Sequence, residues 1–285
     1  MSPSNSITVR PLAGVIGATV QGVDLADLSD AGFATIHSAF PHHPVLVIPG
    51  QKLTPGELKA AARRFGKLYV HPYAKGLDDH PEVMPVVREA DDVGRNFGGS
   101  WHADLTFEPE PVLGSLLYAV EVPDHGGDTL FANQHAAYDT LSAALKALLE
   151  GLQAVHSADA AYGPGKLAAA RKMGLKAAEP ATEAVHPVVR VHPETGRRGL
   201  FVNPLNTSRF AGWTEAESRP LLHYLCTHAV RPEFSCRIRW QSGTVVCWDN
   251  RSVQHIALND YAGHRREMQR VTIRGDRPYG INHTL

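Results

Sequence analysis

The spacing of apolar positions changes along this chain, and each change marks an element. Ile7 to Leu12 and Ala18 to Leu25 read as short strands. Phe33, Ile36 and Phe40 recur at helical spacing and predict a helix from Ser29 to Phe40. Pro44 to Ile48 is an apolar run closed by Pro49-Gly50, which predicts a buried strand. Thr54-Pro55-Gly56-Glu57 is a capping box with proline at the first helical position, so a helix follows to about Phe65. Further strands are expected at Ser100 to Phe107, Val112 to Val120 and Asp128 to Ala132, then one Ala- and Leu-rich helix from Ala136 to Leu152. Pro164 to Pro180 has weak periodicity and reads as a helix leading into a mobile loop.

The last third is sharper. Val185 to Val191 and Gly199 to Asn203 flank a hairpin-like turn, His192-Pro193-Glu194-Thr195-Gly196. Thr214 with Glu217 is a second capping box, opening a helix to about Ala229. Phe234, Cys236, Ile238 and Trp240 alternate with polar residues, as in a strand with one buried face. Thr244 to Trp248 runs back, and Arg270 to Arg274 is the final strand. Many strands, few helices and no sustained βαβ alternation predict one mostly β domain over residues 1–285, a double-sheet architecture with flanking helices.

Composition narrows the partners. Lys plus Arg is 28 against 29 for Asp plus Glu, a formal net charge of −1, which removes the electrostatic argument for nucleic acid or an anionic membrane as the main partner. Cys226, Cys236 and Cys247 form no CxxC pair and read as buried free thiols in a reducing compartment. Met1 to Arg10 has no apolar signal core, and no run approaches the ~18 apolar residues of a membrane span. The expected location is therefore the cytoplasm.

The candidate chemistry centres on Trp101-His102-Ala103-Asp104. With 16 His and 29 acids in 285 positions, His-x-acid arises about 1.6 times by chance, the usual risk of a short motif. The chain holds it at His80-Pro81-Glu82, His102-Ala103-Asp104 and His192-Pro193-Glu194, and context separates them. Proline breaks a central strand, so His80 and His192 are poor platforms for a rigid site. On a strand, His102 and Asp104 would share a face. With His255, which follows a strand and a polar turn, they would form the two-His, one-carboxylate facial triad of non-heme Fe(II) oxygenases. The bland alternatives are a surface His with a capping Asp, and a hydrogen-bonded structural His255.

Arg266 and Arg270 share a strand face with Met268 between them, suited to a carboxylate or sulfonate; otherwise they are a solvated basic stripe. His125-Gly126-Gly127-Asp128-Thr129 is a Gly-rich turn without the Lys or following helix of a phosphate loop. Thr129 offers a hydroxyl there, unless this is an ordinary β-turn.

Taken in order, several segments resemble the taurine dioxygenase (TauD/TfdA) family. They are Arg64-Phe65-Gly66, His71-Pro72, Trp101 to Phe107, Gly126 to Leu130, His186 to Arg190, Leu200 to Asn203, Trp248 to Arg251, Gln254-His255 and Arg265 to Arg270 with Thr272 to Asp276. The resemblance spans nearly the whole chain. It implies a double-stranded β-helix (jelly-roll, cupin-like) core, and Fe(II) bound by His102, Asp104 and His255. It implies 2-oxoglutarate held by Arg266 and Thr129, O2 as oxidant, and a homo-oligomer. It also implies an anionic substrate held by His71 and Arg270, with Tyr73, Trp101 and Phe107 as pocket walls.

The chain departs from the taurine pattern at Gly98, where that enzyme has Asn, at Asn206, where it has an aromatic wall residue, and at Tyr73, which aligns only across a gap. The anion end is kept and the opposite end rebuilt. The expected substrate is a small organic anion, with an alkylsulfonate such as taurine leading and alkyl sulfates and aryloxyalkanoates as alternatives. A metal-free β-sandwich binding module and a zinc hydrolase are the rival classes; Arg266 and the Gly-rich turn have no role in the hydrolase.

Overall fold

The computed structural model describes residues 7–71, 74–93, 98–159 and 183–281. The strands are β1 (Thr8–Pro11), β2 (Ala18–Gln21), β3 (Val45–Ile48), β4 (Leu68–Tyr69), β5 (Val83–Arg88), β6 (Gly114–Glu121), β7 (Thr129–Asn133) and β8 (Gln153–Ser157). They continue with β9 (Glu183–Pro187), β10 (Val189–Val191), β11 (Arg198–Leu200), β12 (Thr207–Phe210), β13 (Ser235–Ile238), β14 (Val245–Asp249), β15 (Val253–Ala257) and β16 (Arg266–Ile273). Five α-helices accompany them among the described residues: α1 (Asp30–Ala39), α2 (Pro55–Arg63), α3 (Gln134–Asp139), α4 (Ala143–Glu150) and α5 (Glu215–Ala229).

An eight-stranded sheet runs β1-β2-β3-β14-β6-β16-β4, with β5 also on β16. A three-stranded sheet, β13-β7-β15, faces it. The core explains the pairing of the sheets. Ala119, Val246, Trp248 and Met268 of the large sheet cluster with Phe131, Ile238, Trp240 and Val253 from the β13–β7–β15 side. The other face of the large sheet, through Leu46, Leu116, Val245, Cys247 and Val271, packs on Ile36 of α1, Phe40 just after it, and Leu58, Ala61 and Ala62 of α2. β14 is thus buried on both faces, which is why it reads as a continuous apolar run rather than an alternating one. Both capping boxes form: Thr54 and Glu57 exchange bonds at the start of α2, as do Thr214 and Glu217 at the start of α5.

Three expectations are corrected. Ser100 to Phe107 is not a strand: His102 makes an isolated bridge to His255, and residues 104–107 turn. The Asp104 N–H is taken by the Asn250 side chain, and Leu105 adopts φ +52, so no ladder can continue. Ala136 to Leu152 is two helices. Ser142 accepts a bond from Leu145 N–H and restarts the chain as α4, while the Thr140 hydroxyl turns back to the Ala137 carbonyl. The final strand begins at Arg266, not Arg270. The helix and loop expected at Pro164 to Pro180 lie outside the described residues, and no helix among the described residues is long and apolar enough to cross a membrane.

Candidate active site

Two backbone hydrogen bonds zip the site together. His102 N–H donates to the His255 carbonyl at 3.0 Å, and His255 N–H to the His102 carbonyl at 2.8 Å. This bridge joins a loop residue to the middle of β15 and sets the two imidazoles 4.2 Å apart, centroid to centroid. Asp104 Oδ1 lies 3.5 Å from His102 Nε2 and 3.9 Å from His255 Nε2. All three donor atoms fall within 4.8 Å of one another, and all three residues are buried.

Asp104 is placed by an amide clamp. Asn250, 1 % exposed in the turn after β14, accepts from Asp104 N–H at 2.7 Å and donates to the Asp104 carbonyl at 2.9 Å and the Val112 carbonyl at 3.2 Å. The turn is in turn pinned by a buried ion network. Asp249 accepts two bonds from the Arg251 guanidinium, at 2.8 and 2.6 Å, one from the Arg251 N–H at 2.9 Å and one from His192 at 2.9 Å, while Arg251 also meets Glu194 at 2.7 Å. His192, expected only as a turn residue, is 1 % exposed and belongs to this network rather than to the triad.

The donor set suits a hard divalent ion with an open face. His102 Nδ1 donates to the Ser100 carbonyl at 2.7 Å, which places its proton there and turns the Nε2 lone pair toward the carboxylate. Burial, followed by the neighbouring His102, holds His255 well below the usual imidazole range, hence neutral as a ligand must be. Burial alone would raise the Asp104 carboxyl; Arg270, then the two histidines, outweigh it and hold the group well below the usual range. His255 Nδ1 is buried without a partner. Two imidazoles and one carboxylate fit Fe(II) as a facial triad.

Arg270 is brought to the Asp104 carboxylate itself. Its Nη2 donates to Asp104 Oδ2, and its Nε and Nη2 donate to Ser115 Oγ at 3.1 and 2.9 Å. The guanidinium is 6 % exposed and lies 5.2 Å from the Trp248 ring centroid. Asp104 therefore divides its oxygens, one toward the imidazoles and one toward Arg270. His71 stands near by. Burial, then the charge of Arg270, lowers it to about 4, and the Ala74 N–H on its Nδ1 fixes the remaining proton on Nε2.

Arg266 and Thr129 meet through Trp240. The Trp240 indole N–H donates to Thr129 Oγ1 at 3.0 Å, and its ring lies 5.8 Å from the Arg266 guanidinium. Thr129 keeps its own hydroxyl proton to donate. Gly127, at φ +67, lets the backbone pass where a Cβ would come within 3.3 Å of Arg266 and Tyr261.

The remaining candidates divide. Trp101 is half-buried and Phe107 is 1 % exposed. Asn206 is buried and tied to the end of β8, donating to the Ser157 carbonyl and accepting Ser157 N–H. Tyr73 lies outside the described residues. Asn250, Ser115 and the Asp249–Arg251 pair carry no functional reading in the sequence. For Asp249, Asn250 and Arg251 the signal was there in Trp248-Asp249-Asn250-Arg251, three polar residues following an apolar strand; Ser115 carried none.

The model of the family described as "Taurine catabolism dioxygenase TauD, TfdA family" matches residues 8–272. This chain belongs to that family. It is 35 % identical to an alpha-ketoglutarate-dependent sulfate ester dioxygenase of Pseudomonas putida, over 98 % of this chain and 93 % of the relative. It is 36 % identical to an (S)-phenoxypropionate/alpha-ketoglutarate-dioxygenase of Sphingobium herbicidovorans, over 97 % of each. The crystal structure of a taurine dioxygenase from Burkholderia xenovorans superposes with a TM-score of 0.83 at 36 % identity, covering 99 % of this chain and 93 % of that one. The mostly β architecture with flanking helices is common to this family member and the solved relative.

Proposed function

We propose that this chain hydroxylates a small organic anion, with an alkylsulfonate such as taurine as lead substrate and alkyl sulfates and aryloxyalkanoates as alternatives. The reaction class is that of the family: an oxidoreductase using Fe(II), 2-oxoglutarate and O2. The observation that carries the substrate reading is Arg270, a buried cation in contact with the carboxylate of the His102–Asp104–His255 cluster. An anionic head held there leaves an adjacent C–H bond beside the metal position.

The ion would sit among His102 Nε2, Asp104 Oδ1 and His255 Nε2, where it supplies O2 activation coupled to decarboxylation of 2-oxoglutarate to succinate and CO2. The protein's own work is placement. Arg266 would pair with the distal carboxylate of 2-oxoglutarate, and Thr129 would donate its hydroxyl proton to the same group. His71 Nε2–H would add a neutral donor beside Arg270. Half-buried Trp101 and buried Phe107 would keep water from the reacting carbon. The same reading makes residues 1–285 one catalytic unit with a double-stranded β-helix core, working as a homo-oligomer in the cytoplasm. The sheet-to-sheet core and the span of the family match support the unit and its core.

A panel of sulfonates, sulfate esters and aryloxyalkanoates, scored by succinate released per 2-oxoglutarate consumed, tests the substrate class. Coupled turnover with anions and none with matched neutral compounds is expected. Equal turnover of the neutral compounds would overturn it.

A further inference from the structure

β5 forms a second wall beside the arginines of β16. The antiparallel register sets Met84 opposite Arg270, Val86 opposite Met268 and Arg88 opposite Arg266. Directly opposed residues share a face of the sheet, their Cβ atoms about 5 Å apart. Arg88 therefore leans over the face that carries Arg266. Both guanidiniums lie against one ring, 4.8 Å and 5.9 Å from the centroid of Tyr261, and Tyr261 itself is 3 % exposed.

Two like charges this close normally gather a carboxylate between them, because unrelieved repulsion disfavours the fold. Among the described residues, neither arginine makes a salt bridge. Asp128, the buried acid whose charge reaches Arg266, is itself paired with Arg237, and on the other face Arg265 binds Glu89, Glu121 and Glu267. Arg88 Nη2 donates to the Asp92 carbonyl at 3.2 Å, but Arg88 Nη1 and Arg266 Nε are both buried without a partner. Buried unsatisfied donors on two adjacent cations are costly in an empty site and suited to one that fills with an anion. Gly127 keeps the space beside Arg266 and Tyr261 clear of any side chain.

We propose that Arg88 is a second cation of the 2-oxoglutarate site, acting with Arg266 across Tyr261 on the distal carboxylate. This rests on the reading above in which Arg266 meets that carboxylate. Arg88, half-buried at the outer strand, also faces incoming ligand and would draw in the dianion.

The test uses the full chain loaded with Mn(II), without turnover. Wild type, Arg88→Gln, Arg88→Lys and Arg266→Gln are titrated calorimetrically with 2-oxoglutarate and with 2-oxopentanoate, which keeps the keto-acid end and lacks the distal carboxylate. Arg88→Gln should weaken 2-oxoglutarate about tenfold and leave 2-oxopentanoate within about twofold; Arg88→Lys should recover most of the loss. Unchanged 2-oxoglutarate affinity in Arg88→Gln, with Arg266→Gln impaired, would overturn this proposal alone. Equal losses for both keto acids would reduce Arg88 to a structural part and overturn it too. Undiminished affinity in Arg266→Gln would overturn the underlying reading and this proposal with it.

Discussion

Replacing Asn250 by Asp changes one nitrogen into one oxygen at the point where Asp104 is held. The Asn250 amide serves three buried backbone groups, the Asp104 N–H and the Asp104 and Val112 carbonyls. An aspartate keeps the acceptor and loses the two-pronged donor. In so buried a position it takes up a proton, which restores at most one of the two donated bonds. One carbonyl left unpaired costs about 1–3 kcal/mol. For a chain of this size that lowers Tm by about 2–5 °C. The larger effect falls on the ligand, because Asp104 can now rotate out of line. Loss of a group that orients a metal ligand weakens the metal about 10–100-fold. Thermal unfolding of the metal-free protein and Mn(II) titration followed by electron paramagnetic resonance read the two effects separately. Lowered stability with Mn(II) affinity within twofold of wild type would refute the clamp, since Asn250 would then only support the fold.

Other outcomes follow from the same geometry. Arg270→Ala should weaken the organic anion at least tenfold more than 2-oxoglutarate, by about 1.4 kcal/mol or more; equal losses measured in binding titrations would overturn the division of labour between Arg270 and Arg266. Gly127→Ala forces a Cβ within 3.3 Å of Arg266 at φ +67, so the KM for 2-oxoglutarate should rise while the Kd for Mn(II) holds, and an unchanged KM would show that the close approach does not shape the site. His135, His156 and His186 are held at about 4, about 3 and about 4, chiefly by burial. Because their folded values lie below the unfolded value of 6.5, the unfolded chain binds more protons, and the stability present above pH 6.5 is lost as pH falls toward 4. The metal-free protein should therefore lose ~4 kcal/mol between pH 7 and pH 5.5, and pH-independent urea midpoints over that interval would contradict it.

Much of this was legible because the relevant signals are local. The capping boxes at Thr54 and Thr214 and the shared face of Arg266, Met268 and Arg270 depend on near neighbours, and they form as read. His102 and Asp104 do lie together, but not by the route read from the sequence. They converge because a loop turns at Leu105 under the hold of Asn250, not because they alternate on a strand. Such a hold joins residues 146 positions apart, and no periodicity reports it. The pairing of Arg270 with Asp104 and the register that sets Arg88 opposite Arg266 are also long-range facts, settled only when β5 and β6 both dock on β16. Asn206 was placed by alignment with an aromatic wall position of the family; its backbone and amide bond Ser157 at the end of β8, a long-range tie that no local signal reports.

The central claim is that His102, Asp104 and His255 hold the Fe(II) on which 2-oxoglutarate is spent. Succinate release measured aerobically in wild type and Asp104→Ala, each with Fe(II) and again with a chelator, tests it most directly. Succinate is expected only from wild type with Fe(II). Undiminished, Fe(II)-dependent succinate from Asp104→Ala would contradict it.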